Sequence, residues 1–193
     1  MTIDQSILQA IVPGITPGNL ALYLPFLQQL LPHYHIDTPQ RIGGFLAQVA
    51  EESINFSHVK ELATGAEYEG RSDLGNIHPG DGVKYKGRGL IQITGRGNYQ
   101  WCSKDIFADD RLLVNPDLLL QPEYAIQSAC WFWTTAKPLN AVCDHPEDWT
   151  TVWHHNGKTY TKIQWMTLLV NGGQNGIDVR TANYERARKV LNF

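Results

Sequence analysis

The chain has 193 residues, of which 42% are hydrophobic, and this length and composition fit one domain over residues 1–193 with a substantial core. Sixteen Lys and Arg residues against 19 Asp and Glu residues give a net charge of −3, with no basic run that could follow a phosphate backbone. We therefore expect no nucleic-acid partner.

Cysteine spacing and the chain's apolar segments limit the classes further. Cys102, Cys130 and Cys143 match neither a disulfide framework nor a zinc site, so we expect buried, reduced thiols and no metal. The first residues lack the positive start and apolar stretch of a secretory signal, and no segment stays apolar for the roughly 20 residues of a membrane span. We expect cytoplasmic synthesis without a signal peptide and no stable membrane insertion.

Apolar residues at helical spacing predict helices over residues 7–12 and 20–31, with Pro25 starting or kinking the second. Thr38 and Pro39 predict the start of a third helix, whose apolar pattern runs to about Phe56. Residues 64–89 are rich in glycine, charge and tyrosine without a sustained period, which favours an ordered binding loop.

Residues 90–94 alternate in polarity and are predicted to be extended. Further helices are predicted over residues 98–107, 122–135, 145–155, 161–169 and 178–191. The sequence therefore predicts a mainly α fold with at most a small β element.

The third helix places a carboxylate on its apolar face. Four core-like positions share this face with Glu52, namely Phe45, Gln48, Val49 and Phe56. Glu51 is turned about 100° away. An ionised carboxylate is costly in apolar surroundings, so the position favours a protonated glutamate that can act as a general acid. A half-buried structural glutamate bonded to a backbone amide or to an arginine such as Arg88 remains the alternative.

A second acid, Glu61, follows Glu52 by nine residues, beyond the expected end of the helix. A chain that turns there can bring the two carboxylates to opposite sides of a cleft. Glycoside hydrolysis needs such a pair, because one carboxyl group protonates the leaving oxygen and the other activates water. Glu67 and Glu69 are alternatives for the second role, and spacing does not choose among the three.

Residues 85–99, YKGRGLIQITGRGNY, place Gln92, Thr94 and Asn98 among glycines. Glycines permit close backbone approach, and amides and hydroxyls can bond sugar hydroxyl and acetamido groups. The segment lacks the Lys-Ser/Thr ending of a phosphate loop. It therefore favours a carbohydrate ligand.

Several motifs, taken together and in order, resemble glycoside hydrolase family 19, which includes plant-type chitinases and similar endolysins. They are FLAQVAEESINF at 45–56, YEGR at 68–71, LGN at 74–76, PGDG at 79–82, the 85–99 segment and NGG at 171–173. The resemblance implies a lysozyme-like helical fold with two lobes and a central substrate cleft. It also implies an inverting mechanism that uses no metal and no cofactor.

The resemblance implies roles for individual residues. Glu52 matches the proton donor, Glu61 the base, and Thr94 the hydroxyl residue that helps to hold the water. The residues matching the substrate cleft or its floor are Tyr85, Arg88, Gln92, Asn98 and Asn171. Trp101, which follows the 85–99 segment, is a further candidate for sugar contact.

The resemblance extends to the last predicted helix, and the sequence departs from the family pattern at one position next to the proposed acid. Arg180 and Tyr184 lie where the family places support for the site. The family usually has histidine immediately before the catalytic glutamate, and this chain has Glu51. We expect Glu51 to tune the acid rather than to replace it, because adjacent side chains on a helix diverge by about 100°.

The expected function is hydrolysis of β-1,4 bonds in peptidoglycan by an endolysin-type muramidase. The compact chain, the lack of a leader and the short loops favour this over a chitinase, which would use the same residues on chitin oligomers. A catalytically silent wall-binding descendant is the other alternative. We expect a monomer that acts on the cell wall after release or delivery, with a cognate immunity protein as partner if it is an injected effector.

Overall fold

The computed structural model describes residues 1–146 and 153–193, which are mainly helical, as predicted. The α-helices are α1 (Gln5–Ile11), α2 (Pro17–His33), α3 (Pro39–Glu52), α4 (Asp81–Lys84), α5 (Arg96–Phe107), α6 (Arg111–Val114), α7 (Pro122–Trp131), α8 (Leu139–Asp144), α9 (Lys162–Asn171) and α10 (Ile177–Leu191). Short 3-10 helices cover Ala66–Tyr68, Ser72–Leu74 and Pro116–Leu120, and a π-helical turn over Phe132–Ala136 continues α7.

The described β structure is an antiparallel hairpin of β1 (Trp153–His155) and β2 (Lys158–Tyr160). The helix predicted over 145–155 is wrong, because α8 ends at Asp144 and β1 begins at Trp153; residues 147–152 lie outside the described residues. Asn156 and Gly157, with φ of 50° and 73°, form the tight turn. An Asn-Gly pair is a strong hairpin signal, and helical spacing alone overlooked it.

Helix starts follow their sequence signals. The hydroxyl of Thr38 accepts a hydrogen bond from the backbone N–H of Arg41, which confirms the predicted start of α3. Pro25 does not start α2, which begins at Pro17 and runs through it, and a kink at Pro25 stays a prediction. The extended segment predicted over 90–94 is also wrong: only an isolated bridge joins Arg88 to Ile93 around a turn.

The core is built around α3, whose residues 42–50 are all buried. Helix α10 packs along α3, and α1, α8 and α9 also contact it, while α7 contacts α2 and α5. Cys102, Cys130 and Cys143 are buried thiols, as predicted. None of the helices in the described ranges combines the length and apolar character required to cross a bilayer.

Two adjacent glycines determine how closely other helices approach α3. A methyl group built on Gly43 would lie 2.9 Å from Cβ of Ala187 in α10. One built on Gly44 would lie 2.8 Å from Sγ of Cys143 in α8 and 3.2 Å from Sδ of Met166 in α9. The backbone of α3 is therefore in direct contact with three helices, and it is this contact that places the end of α3 beside α9 and α10.

We expect Gly44→Ala to lower the free energy of unfolding by about 1–3 kcal/mol, because the added methyl overpacks this contact. Urea unfolding measures the change. Gly18→Ala in α2 is the matched control, since no atom lies within 4 Å of its added methyl. It should be neutral or stabilise the chain by roughly 0.5–1 kcal/mol. Equal effects of the two variants would contradict the close-approach argument.

Candidate functional site

Glu52, the last residue of α3, pairs with Arg180 in the first turn of α10. Nη2 of Arg180 donates to Oε1 of Glu52 at 2.5 Å, and the two side chains are 3% and 18% exposed. The apolar surroundings predicted for Glu52 are therefore wrong, because a buried guanidinium faces it. The alternative of an arginine-bonded glutamate is correct in that respect, but the arginine is Arg180 and not Arg88. Among the described residues, Oε2 of Glu52 accepts no hydrogen bond.

Arg180 is held by a buried polar network. Its Nη1 donates to Oε1 of Gln48 at 2.6 Å, and Nε2 of Gln48 donates to Oγ1 of Thr167 at 3.1 Å. Gln48 and Thr167 are fully buried. Gln48 was predicted to be a core-like position, and Thr167 was not predicted to belong to the site. A polar residue one turn before Glu52, on the same face, was the available signal.

The chain reverses direction immediately after Glu52. Ile54, Asn55 and Phe56 have φ of 49°, 55° and 65°, a run of left-handed backbone that non-glycine residues adopt at a cost of about 1–2 kcal/mol each. Oγ of the buried Ser53 donates to the carbonyl of Val49 at 2.7 Å and accepts from the N–H of Phe56 at 2.9 Å. These two hydrogen bonds hold the turn and end α3 four residues before the predicted position.

Glu61 follows this turn and is bound at both carboxylate oxygens. The hydroxyl of Tyr68 donates to Oε1 at 2.9 Å, and the N–H of Gly87 donates to Oε2 at 2.8 Å. Burial, together with the hydrogen bond to Glu61, raises the pKa of Tyr68 to about 12, so its phenol stays a donor at neutral pH. Tyr68 was not predicted as a site residue, although this tyrosine begins the YEGR motif.

The two rival acids have different surroundings. Glu69 accepts hydrogen bonds from the N–H groups of Gly80 and Gly82 at 2.7 and 2.8 Å, which ties the 64–89 loop together. Glu67 is exposed. Of the three carboxylates, Glu61 is the one bonded to the glycine-rich 85–99 segment.

One polar residue of the 85–99 segment, Gln92, lies beside Glu61, and two others are linked to it by hydrogen bonds along the segment. A methyl group built on Gly87 would be 2.6 Å from Oε1 of Gln92 and 3.2 Å from Oε2 of Glu61, so both side chains lie over this glycine. Oγ1 of Thr94 donates to the carbonyl of Gln92 at 2.9 Å, and Nδ2 of Asn98 donates to the carbonyl of Thr94 at 2.8 Å. The structure thus brings Glu61 and Gln92 together, with Thr94 and Asn98 following in sequence.

Tyr85 and Arg88 are buried rather than exposed to a ligand, and the expectation that they form the floor of the cleft stays a prediction. Tyr85 is fully buried, and its hydroxyl donates to the carbonyl of Leu113 at 3.1 Å. Arg88 is buried as well and donates to Asp117 at 2.6 Å and to the hydroxyl of Tyr99 at 3.1 Å. Both side chains lie behind the segment and support it, since the turn around Arg88 directs them inward rather than to the surface.

Two further predicted residues, Trp101 and Asn171, lie on α5 and at the end of α9. Trp101 is 44% exposed and packs edge-on against Trp131. Asn171 closes the loop after α9, accepting from the N–H of Gly173 at 2.8 Å and donating to the carbonyl of Asn175 at 3.0 Å. Sugar contacts for Trp101, Asn98 and Asn171 stay predictions.

In addition to Arg180, two residues were predicted to support the site, and they lie on α3 and α10. Tyr184 is buried on α10 one turn after Arg180, so it lies on the helix face that was predicted to support the site. Glu51 is half-buried and contacts Gly176 at the start of α10. Among the described residues, no group of three His, Cys, Asp or Glu side chains is placed to hold a metal ion.

Most of the chain is similar to proteins of one enzyme family. A model of glycoside hydrolase family 19, described as chitinase class I, matches residues 35–181. A protein of Haemophilus influenzae described as a glycosyl hydrolase family 19 domain-containing protein is 34% identical over 130 residues, covering 64% of this chain and 51% of that protein. An endochitinase of Arabidopsis thaliana is 39% identical over 95 residues, covering 49% of this chain and 32% of the plant protein. The chain thus spans about half and about a third of their lengths.

Solved structures confirm the helical, lysozyme-like fold that the resemblance implied. Chitinase C from Streptomyces griseus is similar with a TM-score of 0.70 at 19% identity, over 98% of this chain and 76% of that chain. A class IV chitinase from Zea mays is similar with a TM-score of 0.67 at 18% identity, over 98% and 92% of the two chains. At such identities the similarity establishes the fold alone.

We expect Ser53→Ala to lower the free energy of unfolding by about 1–3 kcal/mol, because it leaves the buried N–H of Phe56 without its acceptor. Ser57→Ala, at an exposed serine of the same turn, is the control, with an expected change below about 0.5 kcal/mol. Urea unfolding measures both. A small effect of Ser53→Ala would mean that the turn does not depend on this hydroxyl.

Asp81 predicts a pH dependence of stability. Hydrogen bonds from Arg96 lower the pKa of this buried carboxyl from 3.8 to about 2. Because the folded value lies below the unfolded one, Asp81 stabilises the fold above about pH 4, and this contribution is lost as the pH falls towards 2. The difference in unfolding free energy between wild type and Asp81→Asn should therefore shrink over that range. A constant difference would contradict the assignment.

Proposed function

Because the chain belongs to glycoside hydrolase family 19, we propose that it hydrolyses β-1,4 bonds of an N-acetylhexosamine polymer, with Glu52 as proton donor and Glu61 as base. One observation carries the assignment of the roles. Glu61 accepts hydrogen bonds at both oxygens, whereas Glu52 is bonded only at Oε1 among the described residues. A carboxylate that accepts at both oxygens suits a base, and an unengaged oxygen can carry the proton of an acid.

In the proposed mechanism, Glu52 transfers a proton from Oε2 to the leaving glycosidic oxygen as the C1–O bond breaks. A water attacks C1 from the opposite face, and Glu61 takes its proton, so that the configuration at C1 inverts. An ionised carboxylate has about four lone-pair sites, so Glu61 retains acceptor capacity beyond its two hydrogen bonds. Gln92, which lies with Glu61 over Gly87, and Thr94, which is bonded to the carbonyl of Gln92, are proposed to hold the water.

Arg180 contributes after the proton has moved. Its buried guanidinium forms an ion pair with Glu52 and donates to Oε1. When Glu52 gives up its proton, the new negative charge therefore meets a fixed positive partner. We propose that this pairing stabilises the product side of the proton transfer, since a preorganised charge needs no solvent rearrangement.

We propose peptidoglycan as the substrate, cut by an endolysin-type muramidase. The chain passes from Glu52 to Glu61 in nine residues and from α9 to α10 through residues 172–176, so short connections border the site. Short borders leave room for the lactyl and peptide substituents of muramic acid. Chitin is the second candidate, favoured by the endochitinases among the relatives.

The place of action follows from this substrate. We propose that the protein acts as a monomer on the cell wall, in the periplasm or outside the cell, after release or delivery. If it is an injected antibacterial effector, a cognate immunity protein that blocks the cleft is the expected partner. Examination of neighbouring genes tests this point.

Glu52→Gln should lower turnover on the proposed substrate by about 10²–10⁴-fold, because the amide cannot donate the proton. Its oxygen can still face Arg180, so circular dichroism should show an intact fold. Glu61→Gln should have a comparable effect. The control is Glu67→Gln at an exposed carboxylate, which should retain wild-type turnover. Near-wild-type activity of folded Glu52→Gln would refute the assignment.

Substrate and stereochemistry are tested on two materials. Loss of turbidity of purified peptidoglycan, with release of reducing ends, is expected to exceed cleavage of chitin oligomers. The first product detected by NMR should have the α configuration, as an inverting enzyme requires. Cleavage of chitin alone would favour the chitinase candidate, β product would indicate a retaining route, and binding without cleavage of either would indicate a wall-binding module.

A further inference from the structure

Glu51, the residue before the proposed acid, contacts the loop that joins α9 to α10. A methyl group built on Gly176 would lie 2.1 Å from Oε1 and 2.6 Å from Cδ of Glu51. These distances are far below van der Waals contact, so the carboxylate occupies the space that any side chain at position 176 would need. A side chain at position 176 would therefore require the carboxylate of Glu51 to move, in addition to the strain of the left-handed backbone.

Gly176 is also the residue from which α10 begins. It has a left-handed φ of 69°, and no side chain caps the helix by a hydrogen bond at this position. The first N–H groups of a helix and its dipole make this end electropositive. A carboxylate from α3 in contact with Gly176 therefore adds to the negative charge that Asp178 already supplies in the first turn of α10.

The same loop is bonded both to Arg180, the partner of the proposed acid, and to Asn171, a predicted substrate contact. The carbonyl of Asn175 accepts hydrogen bonds from Nε of Arg180 and from Nδ2 of Asn171, both at 3.0 Å. Arg180 in turn holds Glu52. A displacement of residues 175 and 176 would therefore move the partner of the acid and the predicted substrate contact together.

We propose that Glu51 is a positioning residue whose carboxylate seats residues 172–176 against the end of α3. Through Gly176 and Asn175 it sets the position of Arg180 beside Glu52 and of Asn171 beside the sugar. The proposal rests on the proposed function for the roles of Glu52 and Asn171. It explains a glutamate at a position where the family usually has histidine, because here the side chain packs on the backbone of a glycine.

Gly176→Ala tests the contact, because its methyl collides with the carboxylate. Gly172→Ala is the matched control: Gly172 has nearly the same φ, 75°, in the same loop, but no atom lies within 4 Å of the added methyl. The control therefore reports the cost of the left-handed backbone alone. Relative to it, Gly176→Ala should lower kcat/KM by roughly ten- to hundredfold, the scale expected for misplacement of reacting groups by about 1 Å.

A double variant tests whether the substitutions at Glu51 and Gly176 act through the same contact or independently of each other. Glu51→Ala removes the carboxylate and should raise KM and lower kcat. Because it also empties the space beside Gly176, Glu51→Ala combined with Gly176→Ala should be more active than Gly176→Ala alone. If the losses of the two single variants multiply in the double variant, the proposal is overturned. It is also overturned if Glu51→Ala only shifts the pH profile and leaves KM and the maximal rate unchanged.

A readout without activity keeps this test apart from the proposed function. Amide hydrogen exchange at residues 175–180 should accelerate in Glu51→Ala and in Gly176→Ala more than in Gly172→Ala. If Glu52→Gln proves fully active, the proposed function fails, while the exchange data still decide whether Glu51 seats the loop. Unchanged exchange in Glu51→Ala would refute the positioning role even in an active enzyme.

Discussion

The pairing of Glu52 with the buried Arg180 is the interaction on which the arrangement of this molecule depends. It joins the end of α3 to the start of α10, and Gln48 and Thr167 satisfy further polar atoms of the same network. A buried charge without its partner costs about 3–5 kcal/mol, so neither helix can shift alone. The close approach at Gly43 and Gly44 makes this pairing possible, because it brings α10 and α9 against the backbone of α3.

The second carboxylate is held by a separate system. Glu61 lies beyond a left-handed turn, and Tyr68 and Gly87 donate to its oxygens. The loop that supplies Tyr68 is in turn held by Glu69 and by the buried Asp81 with Arg96. Charged side chains inside this loop serve its geometry, which leaves Glu61 as the carboxylate beside the glycine-rich segment.

The two carboxylates have different hydrogen-bond partners, and this difference explains how two similar acids can take different roles. Glu52 is fixed by a permanent positive charge at one oxygen, and Glu61 by neutral donors at both. The difference lies in the elements that surround each carboxylate rather than in the residues themselves. The contact of Glu51 with Gly176 adds a third support, because it connects the loop after α9 to the helix that ends in Glu52.

The amino-acid sequence determined the helical class, the start of α3 at Thr38 and Pro39, the buried thiols and the segments that contain the site. These features depend on local signals, namely apolar spacing, capping residues and motifs that a family model also matches. The sequence did not determine the end of α3, because Ile54 and Phe56 are residue types that rarely adopt left-handed backbone, and Asn55 alone is a weak signal for it.

Only the tertiary structure decided which partners the site residues have. Arg180 lies 128 residues from Glu52, and Gly87 lies 26 residues from Glu61. Tyr85 and Arg88 belong to the same motif as Gln92 and Thr94, yet the turn between them buries the first pair and leaves the second half-exposed. Spacing along one element specifies which face a side chain takes, whereas the charge that it meets comes from another element, and only packing brings the two together.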